Sequence, residues 1–465
     1  MRAGKREQPN GGSMDAKTER VLSLSNQSRE RWVLLALLLG VGSTPLFAAE
    51  PRELYAAPRG SCDGFPRLDI GTLPGMCAGL VFGPTRADRT RKVALPRSLL
   101  QLDKGTWLVS DLGAWDRPAG VIWKLQARAG QASSASPVLT GLNLPHALAV
   151  GPDGLVYVGE MSRIIRFDPK AADPASTVEV VVSELPDNKL HEHRHPLSKF
   201  IFAPDDSLLV NIGAPSDQCL GGSGRVSGKS CAESDAGEQT ASIRRYPLVS
   251  AGKWDQSYTV HARGLRNSVA LSVHPSGTVI QAENSYDFAT RWFPFEEVNV
   301  IEAGRHYGWP YCADLDTPTP AWKSTAAMDC TSAAHTRPAV LLPPHAAPLD
   351  ILWYQGSMFP SLQGRMLMTW HGHRSIGGRI ASFAVDARGV PIPDRRARFP
   401  VYGAKSRAYG VEPAATPVVL TPQWELMRGR RPQGSPVGLA VASDGAIWTT
   451  DDRAGLVIRL ATDRD

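Results

Sequence analysis

An all-β chain folded as a six-bladed β-propeller is predicted by three observations. One strand–turn–strand theme recurs along the sequence, each copy pairing two alternating apolar segments around a tight Asp- or Gly-containing turn. Six copies can be counted. The composition is rich in Gly (43) and Pro (37), which favours turns and short strands over long helices. Alternation marks half-buried strands, and the turn pairs supply the positive backbone angle a hairpin demands. Sheet-sized units at wide, uneven spacing suit a propeller with large inter-blade loops better than a β-sandwich with extra strands.

The first 28 residues carry no such pattern and read as a disordered extension, with Met14 as an alternative start. Residues 29–49 have the order of a secretory signal peptide. Arg29-Glu30-Arg31 precedes an apolar run from Trp32 to Val41, and small residues lead to Phe47-Ala48-Ala49. The run is short for a membrane span, so no span is expected in the mature form, although Leu46 or Phe47 leaves an uncleaved anchor as the alternative. The expected location is the periplasm or the exterior.

Residues 50–94 form an N-terminal segment holding the first two of six cysteines. The cysteines fall in local pairs, Cys62 and Cys77, Cys219 and Cys231, Cys312 and Cys330, each around a Gly-, Ser- or Pro-containing loop. Sequential disulfides are the simplest pairing and fit an oxidising compartment, with free buried thiols as the alternative. No Cys-x-x-Cys-His or paired Cys-x-x-Cys is present, so neither covalent haem nor a zinc framework is indicated.

The propeller is expected over 95–465. In chain order its hairpins are Leu99 to Val109, Ala147 to Val158, Phe200 to Val210, Val269 to Ala282, Leu349 to Met368 and Val437 to Trp448. Gly120–Leu125, Ser162–Phe167 and Leu456–Leu460 read as third strands. The net charge of +6 falls to +3 once residues 1–49 are removed, and no basic patch with interleaved aromatics stands out. Nucleic acid is therefore not an expected partner.

Polar residues just before an inner strand converge on the central channel. The densest cluster is His191-Glu192-His193-Arg194-His195, ahead of the Phe200 strand. Alternating histidines on an extended chain share a face, so an imidazole metal site is one reading. A general base at His195 is a second, and a solvated polar loop a third. Asp217, after the Phe200 hairpin, could orient His195 or shift its pKa, or could be an Asx-turn residue. Arg263-Gly-Leu-Arg266-Asn267 precedes the Val269 strand, Glu283-Asn284 follows its hairpin, and Glu297-Val-Asn299-Val-Ile301 leads to Gly304-Arg-His-Tyr307-Gly-Trp309-Pro310.

These last segments, in this order, resemble the soluble pyrroloquinoline quinone (PQQ) sugar dehydrogenases of the glucose/sorbosone dehydrogenase family. Trp370-His371-Gly372-His373-Arg374 and the tail Pro436-Val-Gly-Leu-Ala-Val with Asp451-Asp452 are similar to its sorbosone-type branch. The resemblance spans roughly residues 95–462 and implies a sugar or aldehyde substrate, PQQ and Ca²⁺. It makes His195 the base, Arg266 the group that polarises the quinone, and Asn267, His371 and Arg374 cofactor contacts. It places the calcium against backbone carbonyls near Glu283 and Asn284. With no haem motif, the electron acceptor would be a separate cytochrome or quinone.

Departures accompany it. Where the family has the acidic partner of its His there is Ala214, leaving Asp217 as the nearest substitute. Ser268-Val269-Ala270 stands for Pro-Gln-Gly, and Ser435 and Val437 stand near the paired arginines of the last blade, with Arg428, Arg430 and Arg431 upstream. Two further readings stand beside it: a binding propeller that has lost its cofactor, for which Ala214 is the main argument, and a calcium-dependent lactonase-like hydrolase on a six-bladed propeller.

Overall fold

The computed structural model describes residues 53–464, apart from 91–92, 188–193, 222, 227, 236–238, 291, 373–375, 396–397, 400–406 and 409–412. The expected extension and signal peptide lie outside the described residues. Among the described residues no helix is long and apolar enough to cross a membrane.

Six antiparallel sheets follow one another along the chain, each laid down inner strand first. Blade one is Pro96–Asp103, Thr106–Asp111, Gly120–Gln126 and Ser134–Leu142. Blade two runs from Leu148–Val150 to Glu179–Val182. Blade three begins with Phe200–Phe202 and Leu208–Ile212, and its fourth strand, Thr259–Arg263, takes Arg305–His306 as a parallel fifth. Blade four is Ala270–Val273, Val279–Glu283, Glu296–Val300 and Val340–Leu342. Blade five starts with Pro348–Trp353 and Met366–Trp370. Blade six is Pro436–Val441, Ile447–Asp451 and Leu456–Thr462, closed outside by Met76–Phe82.

The all-β, six-bladed fold expected from the sequence is therefore present. Its boundary is corrected. The propeller begins well before residue 95, because Met76–Phe82 pairs with Leu456–Thr462 from Val457 to Thr462. That strand was not recognisable from a hairpin search, since its partner lies at the other end of the chain. All seven of its residues are buried. The disulfides join Cys62 to Cys77, Cys219 to Cys231 and Cys312 to Cys330, as sequential pairing expects.

The hairpin turns obey the turn chemistry. Gly154 and Gly445 adopt φ of 79° and 87°, while blade three, lacking a glycine there, places Asp206 at 59°. Asp and Asn tolerate this region better than other residues with a side chain.

Adjacent blades are pinned to one another by a buried polar residue on the second strand. Ser110 Oγ donates to His146 O at 2.7 Å, Thr369 Oγ1 to Val437 O at 2.8 Å, and Thr450 Oγ1 to Arg97 O at 2.6 Å. Asn211 Oδ1 accepts from Ser268 N at 3.2 Å. Each contact crosses to the start of the next inner strand, so it fixes the rim residues relative to one another. Across the channel, Lys199 of blade three pairs with Asp350 of blade five at 3.1 Å.

Candidate active site

The rim of interest is where inner strands begin and second strands end. His195 sits there, buried, ahead of the Phe200 strand. Its Nδ1 lies 2.6 Å from the carbonyl oxygen of Ala214. A carbonyl only accepts, so the proton of the neutral ring resides on Nδ1 and the lone pair on Nε2. Gly213 permits this seat: a Cβ there would meet His195 O at 2.4 Å and His195 Cβ at 2.6 Å.

Ala214 ties the histidine to the next blade. Its N–H donates to Arg266 O at 2.8 Å. Its methyl is fully buried in a cluster with Cys231, Trp309, Tyr311 and the Cys312–Cys330 disulfide. The position thus presents backbone to the histidine and side chain to an apolar wall, which is how a residue without a carboxylate can orient the ring.

Arg266 is buried, with its side chain 2 % exposed. Nη1 donates to Asn284 O at 2.8 Å; Nη2 donates to Asp217 at 2.7 Å and to Asp287 at 3.2 Å. Its Nε has no partner among the described residues. The expected role of Asp217 is corrected here. Its carboxylate holds Arg266 and accepts from Asp287 N at 3.1 Å, while the oxygen on His195 Nδ1 is the Ala214 carbonyl. Burial pushes the Asp217 carboxyl up, but the Arg266 guanidinium and the Asp287 N–H outweigh it and hold the group below its ordinary value. Trp309 Nε1 donates to Asp217 O and Trp322 Nε1 to Gln218 O, both at 3.0 Å, so the Asp217 loop is strapped to the aromatic wall.

Asn267 is held through its backbone. Its N donates to Glu283 Oε1 at 2.8 Å, and its O accepts from Asn284 N at 3.3 Å. Its side-chain Oδ1 is buried without a partner among the described residues. Behind it stand buried carboxyls. Burial pushes Glu283 up to about 7 against the Asn267 N–H, and pushes Glu296 up to about 8 against the Ser285 and Ala347 N–H groups. Glu297, opposite Glu283 in strand register, is raised well above its ordinary value by burial and by Glu283. Of the carbonyls expected to face calcium, that of Asn284 is taken up by Arg266.

The structure brings His195, Arg266, Asp217 and Asn267 together on blades three and four. His371 belongs to a second group. Its Nε2 lies 3.0 Å from Asp452 Oδ1 and 2.8 Å from Ser435 Oγ. Asp452 also takes Arg97 at 2.5 Å, and Arg97 Nε donates to His146 Nδ1 at 3.3 Å. Burial and the Arg97 charge keep His146 well below its ordinary pKa. His191, His193 and Arg374 lie outside the described residues. Among the described residues no three His, Cys, Asp or Glu side chains converge on a metal position.

Sequence reasoning missed Arg97, His146 and Asp287; Arg194, part of the His191–His195 cluster, reaches Asp287 at 3.2 Å. Arg97 and His146 meet the rule applied to His195, polar residues at the head of an inner strand, and that rule used on every blade would have found them. Asp287 carried no such signal, because it lies in a loop after a second strand.

The described residues fit the reacting end of a planar quinone. A buried guanidinium whose Nε–H has no partner among the described residues can donate to a quinone oxygen, and blade three supplies an imidazole held in one tautomer.

Residues 87–463 match the TrAA12-like family. Similar solved structures include the iodide structure of the Trichoderma reesei Carbohydrate-Active Enzymes Family AA12, 19% identical over 87% of this chain and 100% of that one, with a TM-score of 0.61. The holo form of the pyranose dehydrogenase PQQ domain from Coprinopsis cinerea is 19% identical over 88% and 100%, with a TM-score of 0.60. The apo form of the soluble aldose sugar dehydrogenase from Escherichia coli is 12% identical over 83% and 100%, with a TM-score of 0.51. An uncharacterized protein of Borreliella burgdorferi is 27% identical over 207 residues, 43% of this chain; the chain spans about half the length (48%) of that curated relative. With a match running through all six blades, the chain belongs to the TrAA12-like family, and the resemblance to soluble quinoprotein sugar dehydrogenases carried by the Gly264–Pro310 motifs is borne out.

Proposed function

We propose that this protein is a quinoprotein dehydrogenase that oxidises a sugar or aldehyde, with His195 as the general base. The observation that carries the reading is the relay of backbone contacts through Ala214. Its carbonyl fixes the His195 ring and its N–H holds the backbone carbonyl of Arg266, so the base and the backbone that carries Arg266 share one support. The family and the PQQ domain named among the structural neighbours support the cofactor class.

When bound, PQQ supplies an ortho-quinone that takes up a hydride. His195 accepts the substrate hydroxyl proton on Nε2, and the Ala214 carbonyl stabilises the resulting imidazolium through Nδ1–H. Arg266 presents fixed positive charge where oxyanion character develops, and its Nε–H is the donor without a prior acceptor. Asn267 would contact the cofactor beside it, and His371 and Arg374 would serve its carboxylates. Calcium would sit against backbone oxygens near Glu283 and Asn284. Three disulfides favour an oxidising compartment, in keeping with export to the periplasm or beyond. The acceptor would be a separate cytochrome or quinone.

One observation favours the second reading, a binding propeller without cofactor. Arg266, Arg97, His371 and Lys199 each face a carboxylate of the protein's own, which competes with a tricarboxylate ligand. Titration of PQQ with calcium into the purified protein, followed by dye-linked oxidation of a sugar panel, separates the two. The dehydrogenase reading expects saturable quinone absorbance and turnover. His195→Ala should then keep PQQ binding and lose about 10²–10⁴-fold in rate. Absence of PQQ binding by the wild type would establish the binding propeller instead.

A further inference from the structure

A second cavity lies on the opposite rim. Its volume is about 520 Å³, within the size range of small-molecule sites, and it is bounded by the hairpin turns of blades one and six and by the Cys62 loop. His195 and Arg266 stand where inner strands begin; Lys104 and Asp444 stand where inner strands turn back. The two sites are therefore at opposite ends of the strands.

The cavity is short of acceptors. Trp448 and Arg459, 2 % and 4 % exposed, both line it, and the Nε1–H of one and the Nε–H of the other are buried with no acceptor among the described residues. Burying a donor unpaired is costly, which points to a group from outside the chain. Arg459 gives its terminal nitrogens to Asp63 and Asp444, so those acids are spent on it. Lys104 and Arg128, both exposed and lining the cavity, make no ion pair among the described residues. The charged side chains at the cavity thus favour an anion by three basic to two acidic. Trp107 and Trp448 stack face to face with centroids 4.0 Å apart, and Phe65 meets Trp448 edge-on at 6.5 Å. Indoles whose faces are occupied offer a neighbour their edges, which carry positive potential and apolar contact.

We infer that this cavity binds a small organic carboxylate with an apolar, ring-sized body. The carboxylate takes the Trp448 and Arg459 donors under the Lys104 and Arg128 charges, and the body lies against Phe65 and the tryptophan edges.

Benzoate is the probe, titrated into the full chain by calorimetry. Inorganic phosphate supplies charge without the body, and benzyl alcohol the body without charge. Benzoate should bind saturably and the other two should not. Trp448→Phe keeps the ring and removes the N–H, and should weaken benzoate about tenfold. Lys104→Gln with Arg128→Gln alters only exposed side chains and should weaken it as well, whereas His195→Ala should leave it unchanged. No saturation by benzoate, wild-type affinity in the Trp448 variant or in the Lys104/Arg128 variant, or loss of binding in His195→Ala would overturn the inference.

Discussion

Placing an acid at residue 214 tests how the histidine is held. If a carboxylate there were simply missing, Ala214→Asp would restore it and raise turnover. The structure expects the reverse. Ala214 is fully buried and its methyl faces Trp309, Tyr311 and Cys231, away from the ring that its carbonyl holds at 2.6 Å. Enlarging a packed site costs about 1–3 kcal/mol. Leaving a buried carboxyl without partners costs about another 1–3 kcal/mol, and more if it stays ionised. Ala214→Asp should therefore destabilise by about 2–6 kcal/mol, a large share of the roughly 5–15 kcal/mol of an ordinary domain. Denaturant titration reads this as a lower midpoint at unchanged slope. Ala214→Gly, which keeps both backbone contacts, should retain most activity. A variant with native stability and increased turnover in Ala214→Asp would show that the side chain reaches His195 and that the carbonyl is not what orients it.

Other predictions follow from the same contacts. Glu283 and Glu296 hold protons in the folded state to about 7 and about 8, whereas the unfolded chain releases them near pH 4.5, so stability should fall as pH rises from about 5 to 8 and level above it. Glu296→Gln should flatten that slope, and an unchanged slope in thermal melts would count against these groups as its source. Asp217→Asn removes the charge that best compensates Arg266 and should cost about 1.5–3 kcal/mol, while Asp287 retains its 3.2 Å contact; chemical denaturation measures it. Leu80→Ala hollows the closing strand, where Leu80 packs in the core of blade six, and should cost about 2–5 kcal/mol by the same measurement.

How much of this was legible beforehand differs between fold and site. The hairpins were readable because their signal is local: alternation and a turn within one short stretch of chain. The disulfides were readable for the same reason. Met76–Phe82 was not, since it pairs with Leu456–Thr462 and carries no turn of its own. At the site, His195, Arg266 and Asn267 announced themselves by standing at the heads of inner strands. The function first given to Asp217 failed because sequence shows which acid is near, and not which way a backbone carbonyl points. Ala214 looked like a lost residue in one dimension, while in three its peptide group makes two contacts that no side chain need supply. His371 was placed with the cofactor by resemblance, and its link to Asp452 and Arg97 depends on blades that meet only when the ring closes.

That closure has a kinetic consequence. Three strands of blade six come from the last part of the chain and the fourth from Met76–Phe82, and Arg67 pairs with Asp463 across a separation of 396 residues. Contacts of such range form late, because the entropy of bringing distant segments together is spent before the contact rewards it. Five blades can assemble as the chain emerges, but Leu456–Thr462 keeps an open edge until the early strand docks. The ring should thus pass through an intermediate with one unsealed seam. Slow recovery of blade-six amide protection, after the other five blades are protected, would be its signature in refolding hydrogen exchange.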